Sequence, residues 1–163
     1  MDESVNVENE KQGRLKPPLN IGRIAGEILA GTAAGFAVTV PAAYVTEIKL
    51  VDTKAHFVAF PFLVVFIIFL ALLYGFASAV GVYLVGSIGK QTGPFLSTIG
   101  CGLFGGLVML AMLAVSFVLS GVLILGVEKV VLWACWAFVF LIAPILATLG
   151  FNWSRRYKKP LST

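Results

Sequence analysis

The sequence predicts an all-α integral membrane protein, a bundle of four transmembrane helices with glycine-rich packing faces. Of its 163 residues, 59% are hydrophobic and 12% are charged, whereas soluble domains average about half and about a quarter. Four apolar runs are each long enough to cross a hydrocarbon core of about 30 Å as a helix. Stretches such as 63–73 are apolar on every face, which excludes the alternating pattern of a membrane β-barrel.

Two polar tails flank this transmembrane domain of residues 21–153. Residues 1–20 carry mixed charge and end in a Pro-Pro pair, which predicts a disordered tail. Four acidic residues precede the first apolar run, unlike a basic signal peptide, so we expect the first helix to be retained. Residues 154–163 form a basic C-terminal tail.

The first predicted span covers residues 21–45. Helical spacing predicts an inward-facing stripe of Glu27, Gly31, Ala34, Val38 and Pro41, with Gly35 beside it. Small residues let helices approach closely in lipid, so this stripe should face the bundle. Pro41 is expected to kink or end the helix.

The second and third predicted spans, residues 61–88 and 95–119, form a hairpin around the turn at 89–94. The second is longer than a bilayer requires, and its small-residue stripe contains Ala71, Gly75, Ser78, Val82 and Gly89. On the third span, one face carries Thr98, Gly102, Gly105, Met109, Met112 and Ser116. Across the spans, the glycines predicted to pack helices together are Gly31, Gly35, Gly75, Gly81, Gly102 and Gly106.

The fourth predicted span covers residues 130–152. Trp133 and Trp136 lie near one end and Trp153 near the other, as in the aromatic belts at membrane interfaces. Pro144 lies in mid-span, where it predicts a kink and leaves the carbonyl near Phe140 in need of another donor.

Glu27 is the one acidic residue inside a predicted span, and carboxylates in membranes are frequently functional because burying them is costly. Arg23 precedes it by four residues on the same helical face, close enough to form an ion pair. Two roles stay open for Glu27: a structural pair with Arg23, or coupling to a proton, ion or substrate. If the two residues only pair, removing the charge of either should lower stability, and exchanging the two residues should largely restore it.

No catalytic, metal or cofactor constellation is evident in the sequence, so we expect a protein that is not an enzyme. His56 is the only histidine and falls in a polar connection, so a bis-histidine haem site is not predicted. Cys101 and Cys135 lie in different spans without the spacing of a zinc or redox motif. No basic face or stacking platform predicts binding to nucleic acid.

The basic residues predict the orientation of the chain. Nine lysines and arginines fall on the side that holds both tails, against three on the other, so both termini are expected to be cytoplasmic, in a plasma membrane or a bacterial inner membrane. The end of the chain is expected to contact anionic lipid headgroups through Arg155, Arg156, Lys158 and Lys159.

These features favour a non-catalytic accessory or scaffold subunit that packs against other membrane helices or against itself. The alternative is a small homo-oligomeric transporter or channel subunit. In helix count and in the glutamate of its first helix, Glu27, the chain is similar to small four-span exporters, which work as dimers. That resemblance implies a coupling role for Glu27.

Overall fold

The computed structural model describes residues 20–52, 59–88, 91–123, 129–153 and 155–157. Side chains are described for 20–45, 64–88, 91–116, 137–153 and Arg155. Over these ranges the elements are α1 (Ile21–Asp52), α2 (Ala59–Gly86), β1 (Gln91–Thr92), α3 (Phe95–Leu123), α4 (Lys129–Trp153) and β2 (Arg156–Tyr157). The predicted all-α class is confirmed, and the short antiparallel pairing of β1 with β2 was not predicted.

Three of the helices are long and apolar enough to cross a membrane. The spanning segments are Ile21–Val45, Val64–Gly86 and Phe95–Ser116. Within the residues whose side chains are described, the fourth helix contributes the shorter apolar segment Ala137–Trp153. These observations support a membrane protein.

α1 begins at a capping residue and continues through an internal proline. Asn20 caps the helix, because its side-chain oxygen accepts a hydrogen bond of 3.0 Å from the backbone N–H of Gly22. At the other end, α1 continues through Pro41 to Asp52. The expectation that Pro41 could end the helix was therefore wrong. Proline removes one backbone hydrogen bond, and neighbouring groups in membrane helices compensate for it.

Consecutive helices pack antiparallel, and glycines lie where they approach most closely. Along the α1–α2 contact, an added Cβ at Gly31 would lie 2.8 Å from Val82, and one at Gly35 would lie 2.5 Å from Tyr74. Residue numbers therefore rise on one helix as they fall on the other. The same reversal relates α2 to α3 and α3 to α4.

The core is built mainly from small side chains around α2, which contacts α1, α3 and α4. One cluster contains Ala71, Tyr74, Met109 and Ala143, and a second contains Ala79, Val82, Ala147 and Phe151. Because alanine and glycine dominate these contacts, backbones meet closely and dispersion contacts hold the helices together.

The buried face of α1 is narrower than the predicted stripe. Glu27, Gly31 and Gly35, each four residues apart, are buried, but Val38 is 43% exposed and Pro41 is exposed. The inward line follows i, i+4 spacing, so positions 38 and 41 rotate out of the contact with α2 and α4. On α3, Met112 is likewise exposed.

Candidate functional site: a buried polar cluster around Glu27

Five polar side chains meet at one end of the packed helices, and we call them the Glu27 cluster: Arg23, Glu27, Gln91, Asn152 and Arg155. Arg23 and Glu27 lie one turn apart on α1, and Asn152 lies in the last turn of α4. Gln91 belongs to β1, and Arg155 follows α4 by two residues. The cluster therefore joins three stretches of the chain: α1, β1, and the end of α4 with the residues that follow it.

The carboxylate of Glu27 is completely buried. Its Oε1 lies 3.5 Å from Nε of Arg23 and 3.5 Å from Nη1 of Arg155. Its Oε2 accepts a hydrogen bond of 2.9 Å from Nδ2 of Asn152. A buried carboxylate is tolerated when it is paired and hydrogen-bonded. Here the hydrogen bond is made by Oε2 alone, and Oε1 has the two ion-pair contacts but no hydrogen bond.

Arg155 is the second cation of the cluster and is only 3% exposed. Its Nε donates to the side-chain oxygen of Gln91, and its Nη1 donates to Oδ1 of Asn152 at 2.6 Å. The guanidinium carbon also lies 5.8 Å from the centre of the Phe151 ring, in cation–π range. Arg155 was expected to contact lipid headgroups; instead its side chain faces Glu27 and β1.

Headgroup contacts were also predicted for Arg156, Lys158 and Lys159. The side chain of Arg156 lies outside the described side chains, and Lys158 and Lys159 lie outside the described residues.

Arg23 connects α1 to the end of α2. Its Nη2 donates to the backbone carbonyls of Gly86 and Ile88. Carbonyls at the C-terminus of a helix lack intrahelical partners and carry partial negative charge, so a cation is favourable there. The side chain therefore neutralises Glu27 and caps α2 at the same time.

Phe151 closes the inner side of the cluster. Its ring is fully buried and packs edge-to-face on Tyr83, with centroids 5.8 Å apart. The ring occupies space that two glycines leave free, since an added Cβ at Gly86 would lie 2.5 Å from it and one at Gly93 would also collide. The places of Phe151, Gln91 and Asn152 beside Glu27 were not predictable from the sequence, because nothing in the local pattern brings them there.

The six glycines predicted to pack helices all lie at close contacts. At each of them an added Cβ would come closer than 3.0 Å to an atom of a neighbouring helix. Four further glycines are as tightly enclosed: Gly86, Gly93, Gly105 and Gly150. By contrast, an added Cβ at Gly26 or Gly100 would meet nothing within 4 Å.

Among the described side chains, three buried hydroxyl oxygens have no hydrogen-bond partner, those of Ser78, Ser87 and Thr148. Ser78 is fully buried and Thr148 is 4% exposed, yet neither side-chain oxygen is bonded. Other hydroxyls of the helices follow the usual pattern, as when Thr98 donates to the carbonyl of Pro94 at 2.8 Å. An unbonded buried hydroxyl costs stability and is frequently a place where water or an ion binds.

No metal-binding site is visible in the part of the chain that the structure describes. There, no three histidine, cysteine or acidic side chains lie together. Cys101 is a half-buried free thiol, whereas His56 and the side chain of Cys135 fall outside what is described.

Comparison with protein-family models, with curated proteins and with solved structures gives no match. The role of the chain must therefore be inferred from its own residues. The Glu27 cluster is the strongest basis for doing so, because buried charge is costly and is retained where it serves the fold or the function.

Proposed function

We propose that the chain is a non-catalytic integral membrane protein, an accessory or scaffold subunit in which all four helices cross the bilayer as one bundle with glycine-rich packing faces. One observation carries the proposal. Glu27 has no exposed surface, and its carboxylate oxygens face Arg23, Arg155 and Asn152. A carboxylate held in this way stabilises helix contacts, whereas a transport or catalytic carboxylate needs a face that its substrate can reach.

The charge pattern supports an orientation for this bundle. Arg23 and Arg155 lie at the same end as the basic tail, and the excess of lysine and arginine at that end favours the cytoplasm. We place the protein in a plasma membrane or a bacterial inner membrane, with Arg156, Lys158 and Lys159 at the anionic headgroups.

A surface for other membrane helices lies on the outer face of α1. Ala25, Ala33 and Ala37 are exposed there, and each presents only a methyl group. Small residues allow a second helix to approach closely and gain dispersion contacts in lipid. This face is therefore where we place the contact with a partner subunit.

The proposal can be tested by native mass spectrometry of the protein purified gently from its own membrane. We expect other subunits to accompany it at fixed stoichiometry, and Ala33→Phe to reduce their recovery by introducing a ring at the contact. Ala111→Phe is the matched control, because Ala111 is exposed on α3. A protein that purifies without any companion, or whose companions are unaffected by Ala33→Phe, would exclude this function.

A second candidate, a small homo-oligomeric transporter or channel subunit, is favoured by the unbonded hydroxyls. Thr148 lies one helical turn before Asn152, whose side chain binds Glu27, so a water at its hydroxyl would lie near the carboxylate. The test measures proton flux into liposomes that contain the protein. A potassium diffusion potential drives the flux, and a pH-sensitive dye inside the liposomes reports it. Transport requires flux that Glu27→Gln abolishes in protein that remains folded; equal flux in the two proteins, or none, excludes it.

A further inference from the structure

A cavity of about 310 Å³ lies beside three aromatic side chains that pack on one another, Phe36, Tyr74 and Phe140. All four helices line it, through residues that include Val40, Ile67, Met109 and Phe140. Its inner wall is the ring of Tyr74, which packs against Phe36 and Phe140 with centroids 5.5 and 5.8 Å apart. The volume lies at the lower end of the range for ligand-binding pockets.

Among the described residues that line the cavity, no polar group is free to bind a ligand. Its two hydroxyls are both committed within the protein: Thr39 donates to the carbonyl of Gly35 at 2.8 Å, and Tyr74 donates to the carbonyl of Phe140 at 2.9 Å. Water needs polar partners, and cavities without them stay dry. The occupant must therefore be apolar.

The cavity is open to the outer surface of the helices. Val40 and Ile67 both line it, yet they are 58% and 41% exposed. Both residues lie within segments able to span a membrane, Ile21–Val45 and Val64–Gly86. At that depth the surrounding solvent is the hydrocarbon of the lipid tails.

We propose that this cavity binds one acyl chain of a membrane phospholipid. An empty cavity forfeits dispersion contacts along its whole lining, and a lipid tail that enters sideways restores them. The volume suits one chain and not a whole lipid, so the headgroup stays at the interface. This proposal rests on the membrane location of the chain and is independent of the accessory role.

The test uses a phosphatidylglycerol with a diazirine in the middle of one acyl chain, reconstituted with the protein in liposomes and photolysed. We expect labelling of Tyr74 and Met109, which line the cavity and are 2% and 4% exposed. Phe76, which is 44% exposed on the same helix, reports the labelling that any lipid-facing residue receives.

Ala43→Phe places a ring in the cavity and should reduce labelling of Tyr74 about tenfold. A tenfold loss corresponds to about 1.4 kcal/mol in the free energy of binding the acyl chain. Ala111→Phe, outside the cavity, should leave it unchanged. If Ala43→Phe does not fold, Val40→Trp at the open rim replaces it. Labelling confined to Phe76 and other exposed residues, or labelling of Tyr74 that persists in a folded cavity-filled variant, would overturn the proposal.

Discussion

The hydroxyl of Tyr74 on α2 donates a hydrogen bond of 2.9 Å to the backbone carbonyl of Phe140 on α4. Phe140 precedes Pro144 by four residues, so this carbonyl is the one that proline deprives of its helical donor. The sequence-based prediction that it needs another donor is confirmed. Tyr74, on a different helix, thus supplies the hydrogen bond that the backbone of Pro144 cannot donate.

This pairing predicts a coupled effect on stability. Tyr74→Phe should lower the free energy of unfolding by about 1 kcal/mol, because the Phe140 carbonyl loses its donor. In a Pro144→Ala background the backbone N–H of residue 144 can serve that carbonyl, so the same change should cost less. Unfolding of the four proteins in detergent would measure the coupling. Equal costs in both backgrounds would contradict it, and Tyr44→Phe, at a 65% exposed tyrosine, is the control.

The Glu27 cluster predicts that its acid is required for folding stability. Glu27→Gln removes the charge that Arg23 and Arg155 share, and breaking a buried pair in this way costs about 3 kcal/mol. The expected result is a lower unfolding midpoint in detergent. A variant as stable as the parent would show that the carboxylate is not structurally required.

The structure also changes the expectation for exchanging Arg23 and Glu27. An arginine at position 27 would face Arg155 and Asn152, so its charge would meet a second cation instead of a carboxylate. We expect the exchanged protein to be less stable than Glu27→Gln. Recovery of parental stability would mean that Arg155 does not contribute to the pairing.

Glycines of α3 allow a matched test of close packing. An added Cβ at Gly102 would lie 2.6 Å from Cβ of Ala79, and one at Gly105 would lie 2.6 Å from Cα of Ala143. Gly102→Ala and Gly105→Ala should therefore separate helices and lower the unfolding midpoint. Gly100→Ala, which meets nothing within 4 Å, should be neutral or stabilise the helix by up to about 1 kcal/mol. The three midpoints, measured together, distinguish packing from helix propensity.

Arg155 is predicted to hold the segment after α4 against β1. Arg155→Gln removes its contacts with Gln91 and Asn152, so the pairing of Thr92 with Arg156 should weaken. Hydrogen exchange at the β1 amides should then accelerate, while exchange in the middle of α2 stays slow. Trp153→Ala, at an 81% exposed side chain, is the control. Unchanged exchange at β1 would show that the strands pair without Arg155.

Much of the helical architecture follows from local pattern, and the Glu27 cluster does not. Long apolar runs and the turn residues near Gly93 predict the helices, since hydrophobicity and helix breaking depend on neighbouring residues. The prediction of six packing glycines likewise depends on local pattern, because small residues recur at helical spacing. The places of Asn152 and Arg155 were not predictable, since they are brought to Glu27 only when α4 folds back beside α1. The same holds for Phe151, whose environment depends on glycines of two other segments.

The distance along the chain between Glu27 and its partners has a consequence for biosynthesis. Asn152 follows Glu27 by 125 residues, so at typical translation rates it emerges on the order of ten seconds later. During that interval Arg23 is the only member of the cluster near Glu27 along the chain. Among the residues whose side chains are described, Glu27 is the only acid. Its full set of partners therefore forms only after α4 has docked beside α1.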